Sequence, residues 1–338
     1  MNIKDIGSMR VLEFAHPQGC RGYLIADKES KEAMALDVHL DFVYDMLERA
    51  KSEGWNIKYV VDTHTHADHP SGAGAMASAL KCVRMASENA HHHGVSINLR
   101  DGDKIKLGKL ELTARNVHGH TPDHMVLIAD GTLFSGDSLF IGAVARTDFL
   151  GGDAGILFDS IHSIIADLPA DTVLFPGHDY QNMAESTIGK EKRENPWLQI
   201  KDRGEFIANL TANPPPKPAN MEDLLRLNRE GVDIAESISA VELIQIVENG
   251  GAGSVIDVRS AAEFEGEHIP GSRLIPLDQI ETRADEVRST PAPRLILCQS
   301  GNRASIAKKN LEKLHIAGLS VVSGGMGAYK NADYGESS

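Results

Sequence analysis

Residues 63–73 read THTHADHPSGA and place His64, His66, Asp68 and His69 within one short span. The span follows KYVVD (58–62), an apolar run with strand character. Two histidines two positions apart at a strand end point their rings to one side. The loop after them can bring Asp68 and His69 back toward the same point. Imidazole and carboxylate are the side chains that zinc and ferrous iron take as ligands. Outward from this string the same residue types recur: His120 in HGHTPDH (118–124), Asp137 in FSGDSLF (134–140) and His178 in LFPGHDY (174–180). Each lies beside a strand-like run, so seven nitrogen and oxygen donors gather at strand ends as a candidate metal centre. The chain holds 15 histidines, any one of which could be idle, but H-x-H-x-D-H is a specific arrangement. His91–His93, in the polar ENAHHHGVS, are expected to be solvated, and His118 and His124 to be structural.

Strands are expected at 58–61, 109–113, 125–129, 132–134 and 172–175, and helices at 39–51, 72–80 and 155–167. Strands with polar residues at their ends, covered by outer helices, imply a layered α/β fold. The stretch TANPPPKPANM (211–221) holds four prolines, cannot continue a helix or a central strand, and reads as a linker. A short helix, MEDLLRLNRE, follows it, and a new pattern begins with ISAVELIQIVENGG. The boundary is therefore set near residue 232, giving domains 1–232 and 233–338. In the second, SVIDVR and RLILC read as buried strands and 304–315 as a helix, an order that implies a parallel sheet with crossover helices.

The ordered set of donors resembles the metallo-β-lactamase superfamily, over roughly residues 8–225. The resemblance implies an αββα sandwich with its site at one edge. ADHPSGAG, GHTPDH, FSGDSLFIGAVARTDF, FPGHDY and STIGKEKRENPWL narrow it to the persulfide dioxygenases. That family implies one Fe(II) per chain held by His64, His120 and Asp137. His66, Asp68, His69 and His178 would then be hydrogen-bonding supports; the residues alone do not make that choice. A face of two histidines and one carboxylate leaves positions for a persulfide sulfur and dioxygen. Arg146 is a candidate supporting or substrate-binding cation. Tyr180, Lys190 and Arg193 are candidate contacts for a glutathione-like carboxylate. Asp123 departs from the family's frequent glycine, and Gln181 and Asn182 depart after HDY.

CQSGNRA (298–304) lies between the strand RLIL and a helix. Amide N–H groups of such a loop converge on Cys298, a setting that stabilises a thiolate or a bound anion. Arg303 adds a guanidinium. Cys82 reads as a core residue, and Cys20, in PQGCRG, as a residue that could approach the metal side. The words VIDVRSAAEFEGEHIPGSRLIP, LILCQSGNRA and VVSGGMGAYK resemble a rhodanese domain over roughly 235–335. This implies a five-stranded parallel sheet, a persulfide on Cys298, Asp257 and Arg259 bracing the loop, and Arg303 meeting the sulfur donor. The C-x4-R spacing is one residue shorter than the C-x5-R of cysteine phosphatases and favours sulfur.

Composition limits the alternatives. The 338 residues allow about two domains. Hydrophobic residues at 41% and charged residues at 24% describe an ordinary globular chain rather than a disordered one. A net charge of −14 gives no general attraction for nucleic acid or anionic lipid. Three scattered cysteines form no disulfide framework. No apolar segment approaches the ~20 residues of a membrane span, and the N-terminus lacks a signal-peptide pattern; a cytoplasmic protein is expected. Both halves point to sulfane sulfur. The expected partners are glutathione persulfide, glutathione, thiosulfate, sulfite and O2, with a homodimer as one possible assembly. A dizinc thioesterase resembling glyoxalase II, using all seven donors, and a sulfur carrier with a structural metal are the alternatives.

Overall fold

Alternation of apolar side chains along the strands decides the layering of the N-terminal unit. The computed structural model describes residues 2–180, 183, 185–218, 221–230, 237–299 and 301–335. They fall into two compact units, one of residues 1–39, 45–65 and 80–219, the other of residues 40–44, 66–79 and 220–338. The expected boundary at 232 lies outside the described residues.

In the first unit, β1 (Asn2–Ile6), β2 (Met9–Ala15), β3 (Arg21–Asp27), β4 (Glu32–Leu36), β5 (Asn56–Val61), β6 (Val83–Ser87) and β7 (Ile97–Leu99) form one sheet in chain order. Pairing is antiparallel from β1 to β4 and parallel from β4 to β7. A second sheet uses β8 (Lys104–Leu107), β9 (Leu110–Asn116), β10 (Met125–Ala129) and β11 (Thr132–Gly136). The hairpin β12 (Leu139–Phe140) and β13 (Ala143–Val144) follows, and β14 (Val173–Pro176) and β15 (Ser186–Thr187) complete the sheet in the order β15-β14-β11-β10-β9-β8.

Val11, Ile25, Met34 and Val61 from the first sheet pack with Leu112, Met125, Leu127, Phe134 and Phe175 from the second. Val126, Leu133 and Leu174 point the opposite way, onto Leu157, Ile161 and Ile164 of the helix Ala154–Ala166 and Phe206 of the helix Arg203–Ala212. Leu12, Leu24 and Ala26, on the far face of the first sheet, are fully buried too. The result is the αββα sandwich. The strand β4, EAMAL, lacks the β-branched signal because Ala, Met and Glu favour helix. Pairing with β3 and β5 overrides that local preference.

In the second unit, β16 (Ser237–Ile238), β17 (Val255–Asp257), β18 (Arg273–Leu274), β19 (Arg294–Leu297) and β20 (Leu319–Val322) form a parallel sheet in the order β16-β20-β19-β17-β18. Ile256, Ile296 and Val321 fill one face, and Val255, Leu295, Leu297 and Val322 the other. A parallel sheet covered on both faces offers its strand ends as the place for polar chemistry. Cys298 follows β19, and Arg259 follows β17 next to it. Among the described residues, no helix is long and apolar enough to cross a membrane.

Candidate metal centre and sulfur-transfer loop

His64 and His120 each present Nε2 at 3.9 Å from Asp137 Oδ2. The three ligand atoms lie within 4.8 Å of one another and all three residues are buried. Donors about 2.1 Å from a shared ion stand at most about 4.2 Å apart, so the two 3.9 Å pairs are at metal-binding separation. Their neighbours assign the imidazole protons. Thr63 donates its hydroxyl to Asp37 Oδ2 at 2.9 Å and its N–H to Asp37 Oδ1 at 2.7 Å. Its oxygen then accepts from His64 Nδ1 at 3.0 Å. His120 Nδ1 donates to the carbonyl of Arg146 at 2.8 Å. Both rings thus carry their proton on Nδ1 and turn an Nε2 lone pair inward. His178 Nδ1 holds Asp137 Oδ1 at 2.8 Å, which leaves Oδ2 facing the imidazoles. This donor set fits a divalent metal ion, with its supporting hydrogen bonds already made.

Two glycines make these approaches possible. Gly119, with φ +126°, precedes His120, and a Cβ there would stand 2.4 Å from the backbone nitrogen of Leu157. Gly177 precedes His178, and its Cβ would stand 2.4 Å from Asp137 Oδ1. Asp123 is buried and accepts the N–H and hydroxyl of Thr65 at 2.8 and 2.6 Å, fixing the residue after His64. Burial pushes its pKa up, but polar neighbours, with the Thr65 hydrogen bonds foremost, outweigh that and hold it below the usual carboxylate range. His124 is fully buried, 5.1 Å from the His64 ring centroid, and burial lowers it to about 3, so it stays neutral. His92 corrects one expectation. It is half-buried, its Nε2 is 2.8 Å from the Thr65 hydroxyl, and Arg84 lies 3.3 Å from its Nδ1, whereas His91 and His93 are exposed.

Arg146 spends its guanidinium inside the protein, in a two-pronged pair with Asp148 at 2.7 and 2.8 Å. It also donates to the carbonyls of Pro215 and Pro216, at 2.6 and 2.9 Å. Tyr180 is 71% exposed and stacks on His178 at 5.3 Å. Gln181 and Asn182 lie outside the described residues. Lys190 and Arg193 belong to the helix Ile188–Glu194, with Arg193 exposed and 3.7 Å from Glu194. In the same helix Glu191 is buried and accepts the Gly142 N–H at 2.8 Å, the Asn195 amide at 2.9 Å and the Ser186 hydroxyl. Asn195 also donates to the carbonyl of Ala143 at 3.1 Å. The IGKEKREN run therefore braces the β12–β13 hairpin. Cys20 is buried, bridged through its backbone to His178, and its sulfur gathers with His16 and His39. Cys82 is half-buried immediately before β6 rather than in the core.

The second unit holds the rest of the H-x-H-x-D-H string. His69 Nδ1 is 3.1 Å from Asp68 Oδ1, and the rings of His66 and His69 lie 4.3 Å apart. Asn228, buried in the helix Met221–Glu230, donates to the carbonyls of His66 and His69 at 2.8 Å each and accepts the Ser71 N–H at 2.7 Å. Asn228 carries no signal in the sequence because its partners are backbone groups, which leave no spacing pattern.

In the same unit Cys298 is buried, and Gly301 donates its N–H to Sγ at 3.1 Å. Arg259 meets Asp257 at 2.7 Å and, through Nη1, Gln299 Oε1 at 3.3 Å. Arg303 makes two 2.7 Å bonds to Glu263. The Arg303 hydrogen bond holds the Glu263 carboxyl down at about 2.

Two family models match the chain: the metallo-β-lactamase superfamily over residues 29–178 and the rhodanese-like domain over residues 239–332. The chain is 33% identical over 202 residues to the human mitochondrial persulfide dioxygenase ETHE1, covering 59% of this chain and 79% of that one. It is 39% identical over 176 residues to a hydroxyacylglutathione hydrolase of Polaromonas, covering 50% and 66%. The crystal structure of ETHE1 from Myxococcus xanthus superposes with a TM-score of 0.63 at 30% identity, covering 65% of this chain and 97% of that one. These matches define a metallo-β-lactamase-fold protein with a C-terminal rhodanese-like domain. Within that class, the chain belongs to the persulfide dioxygenase family.

Proposed function

We propose that the chain oxidises glutathione persulfide with O2 to sulfite and glutathione, and moves sulfane sulfur through Cys298. The observation that carries the first part is the inward-facing trio of His64, His120 and Asp137, each fixed from behind by a hydrogen bond. We assign these three as the holders of one Fe(II). When bound, ferrous iron supplies the electron transfer that lets dioxygen react with a sulfur anion. The balance is GSSH + O2 + H2O → GSH + SO3²⁻ + 2H⁺, with the sulfane sulfur oxidised and dioxygen reduced. The protein's share is orientation. His178 keeps Asp137 aimed, the Arg146 carbonyl sets the His120 ring, and Arg146 itself acts through that carbonyl rather than on substrate. Tyr180, Lys190 and Arg193 are the proposed contacts for the thiol's carboxylates.

In the second reaction the Cys298 thiolate attacks the outer sulfur of thiosulfate and expels sulfite. A glutathione thiolate then takes the sulfur and regenerates Cys298. The Gly301 N–H faces the sulfur that changes partners, Asp257 and Arg259 brace the loop through Gln299, and Arg303 is the cation proposed for the anionic donor. Joining both activities in one chain raises the local concentration of the shared persulfide.

The test is oxygen uptake by iron-reconstituted protein given glutathione persulfide, with metal content measured on the same sample. Rapid uptake with about one iron per chain and sulfite as product supports the reading. The similarity to a hydroxyacylglutathione hydrolase sustains one second reading, a dizinc thioesterase. Two retained zinc ions, thioester turnover and no oxygen uptake would select it.

A further inference from the structure

The Cys298 loop is held by backbone donors from the segment after β20. Met326 donates its N–H to the Cys298 carbonyl at 2.8 Å, and Gly327 to the Gln299 carbonyl at 3.1 Å. The two backbones lie so close that a Cβ on Gly325 would stand 2.3 Å from the Cys298 oxygen. Gly324, with φ +69°, begins this segment, and its N–H goes to the carboxylate of Asp41, at 2.9 Å from Oδ1. The same oxygen lies where a Cβ on Gly301 would meet it at 2.6 Å. Gly301 is the residue whose N–H reaches the Cys298 sulfur. Asp41 therefore touches both strips of backbone that shape the loop. It is itself fixed through its neighbour, since Leu40 donates its N–H to the Pro70 carbonyl at 3.0 Å. All of these residues belong to the second unit.

We propose that Asp41 is a positioning residue for sulfur transfer at Cys298. Gly301 and Gly324 both sit at positive φ without side chains to lock them, so their conformation depends on what they touch. A hydrogen bond to a carboxylate is stronger than one between neutral groups, so it suits the task of fixing such a backbone. With the carboxylate in place, the Gly301 N–H stays aimed at the sulfur that must carry an anion before and after transfer. Without it, segment 324–327 loosens, and the carbonyls of Cys298 and Gln299 loosen with it. The sulfur-transfer loop is thus completed by a residue that precedes the H-x-H-x-D-H string. The proposal rests on reading Cys298 as the sulfur carrier.

The experiment uses the full chain and two variants, Asp41→Ala and Asp41→Asn. It measures thiosulfate-to-glutathione sulfur transfer and, separately, the rate of Cys298 alkylation by iodoacetamide, followed by peptide mass spectrometry. Asp41→Ala is expected to lower kcat by about tenfold or more, in keeping with the cost of misplacing a reacting group. KM for thiosulfate should change far less, and the alkylation rate should change as well. Asp41→Asn keeps an acceptor for the Gly324 N–H and should recover most of the lost kcat. Wild-type kcat and alkylation rate in Asp41→Ala would overturn the proposal, as would an Asp41→Asn as slow as Asp41→Ala. If Asp41→Ala does not fold, Asp41→Glu, which moves the acceptor by one methylene, replaces it with the same expected loss. If the wild-type chain transfers no sulfur, the sulfurtransferase reading fails, and the alkylation rates still decide the role of Asp41.

Discussion

One proton on each of two imidazoles decides whether the candidate centre can take a metal. His64 and His120 are visible in the sequence because ligating side chains cluster in it. The groups that place their protons are not visible, because the Arg146 carbonyl has no side-chain signature and Asp37 lies far from His64 along the chain. Thr63→Val keeps the shape of the side chain and removes the acceptor for His64 Nδ1. Metal affinity should fall by about 10–100-fold, as for other supporting partners, and a metal titration with a chromophoric chelator reads it. At the other site, Glu263 titrates at about 2 in the folded chain against an ordinary 4.5, held by Arg303. The pair's stabilisation is complete above pH 4.5 and is lost as pH falls through about 2. Glu263→Gln should flatten this acid limb, seen as urea midpoints that fall less between about pH 5 and pH 3 than in the wild type. The same variant frees the Arg303 guanidinium and should lower KM for thiosulfate severalfold.

At the scale of elements, the strands β10, β11 and β14 were legible as short apolar runs bounded by turn residues, and β11 and β14 lead into the loops bearing Asp137 and His178. The strand β4 was not, since its helix-favouring residues are held extended by their neighbours. The approach of the loops to one another was also hidden. A glycine before a histidine looks like any flexible joint in sequence, yet at Gly177 the missing Cβ leaves room for the Asp137 carboxylate. Gly177→Ala should displace that carboxylate and cost metal affinity by about tenfold or more, with little loss in thermal stability of the second unit. Chelator titration together with differential scanning calorimetry checks both halves of that expectation. The IGKEKREN run was legible as a family word, but its physical work, Glu191 and Asn195 bracing a hairpin, appears only in three dimensions.

Across the whole molecule, the two proposed chemistries share one kind of sulfur, and the proposed sites should be separable. His120→Ala is expected to abolish oxygen uptake and to leave thiosulfate sulfur transfer within about twofold of wild type. Cys298→Ser should do the reverse when glutathione persulfide is supplied directly. Loss of oxygen uptake in Cys298→Ser under that condition would show that the dioxygenase step depends on the sulfur carrier. The fold class of each half was legible from strand order and motif words. The composition of the second unit was not, because short segments at 40–44 and 66–79 join it from far away in the chain.

That composition bears on how the gene can be dissected. The prolines of 211–221 look like a natural place to cut, and a fragment ending there would be the obvious choice for studying the oxygenase alone. Such a fragment would leave Asn228 behind. Its single carboxamide serves the carbonyls of His66 and His69 and the N–H of Ser71, and all three would lose their partner together. Weak activity in that fragment would then report a severed tether rather than a missing catalytic domain, and a cut placed after the helix Met221–Glu230 would avoid the confusion.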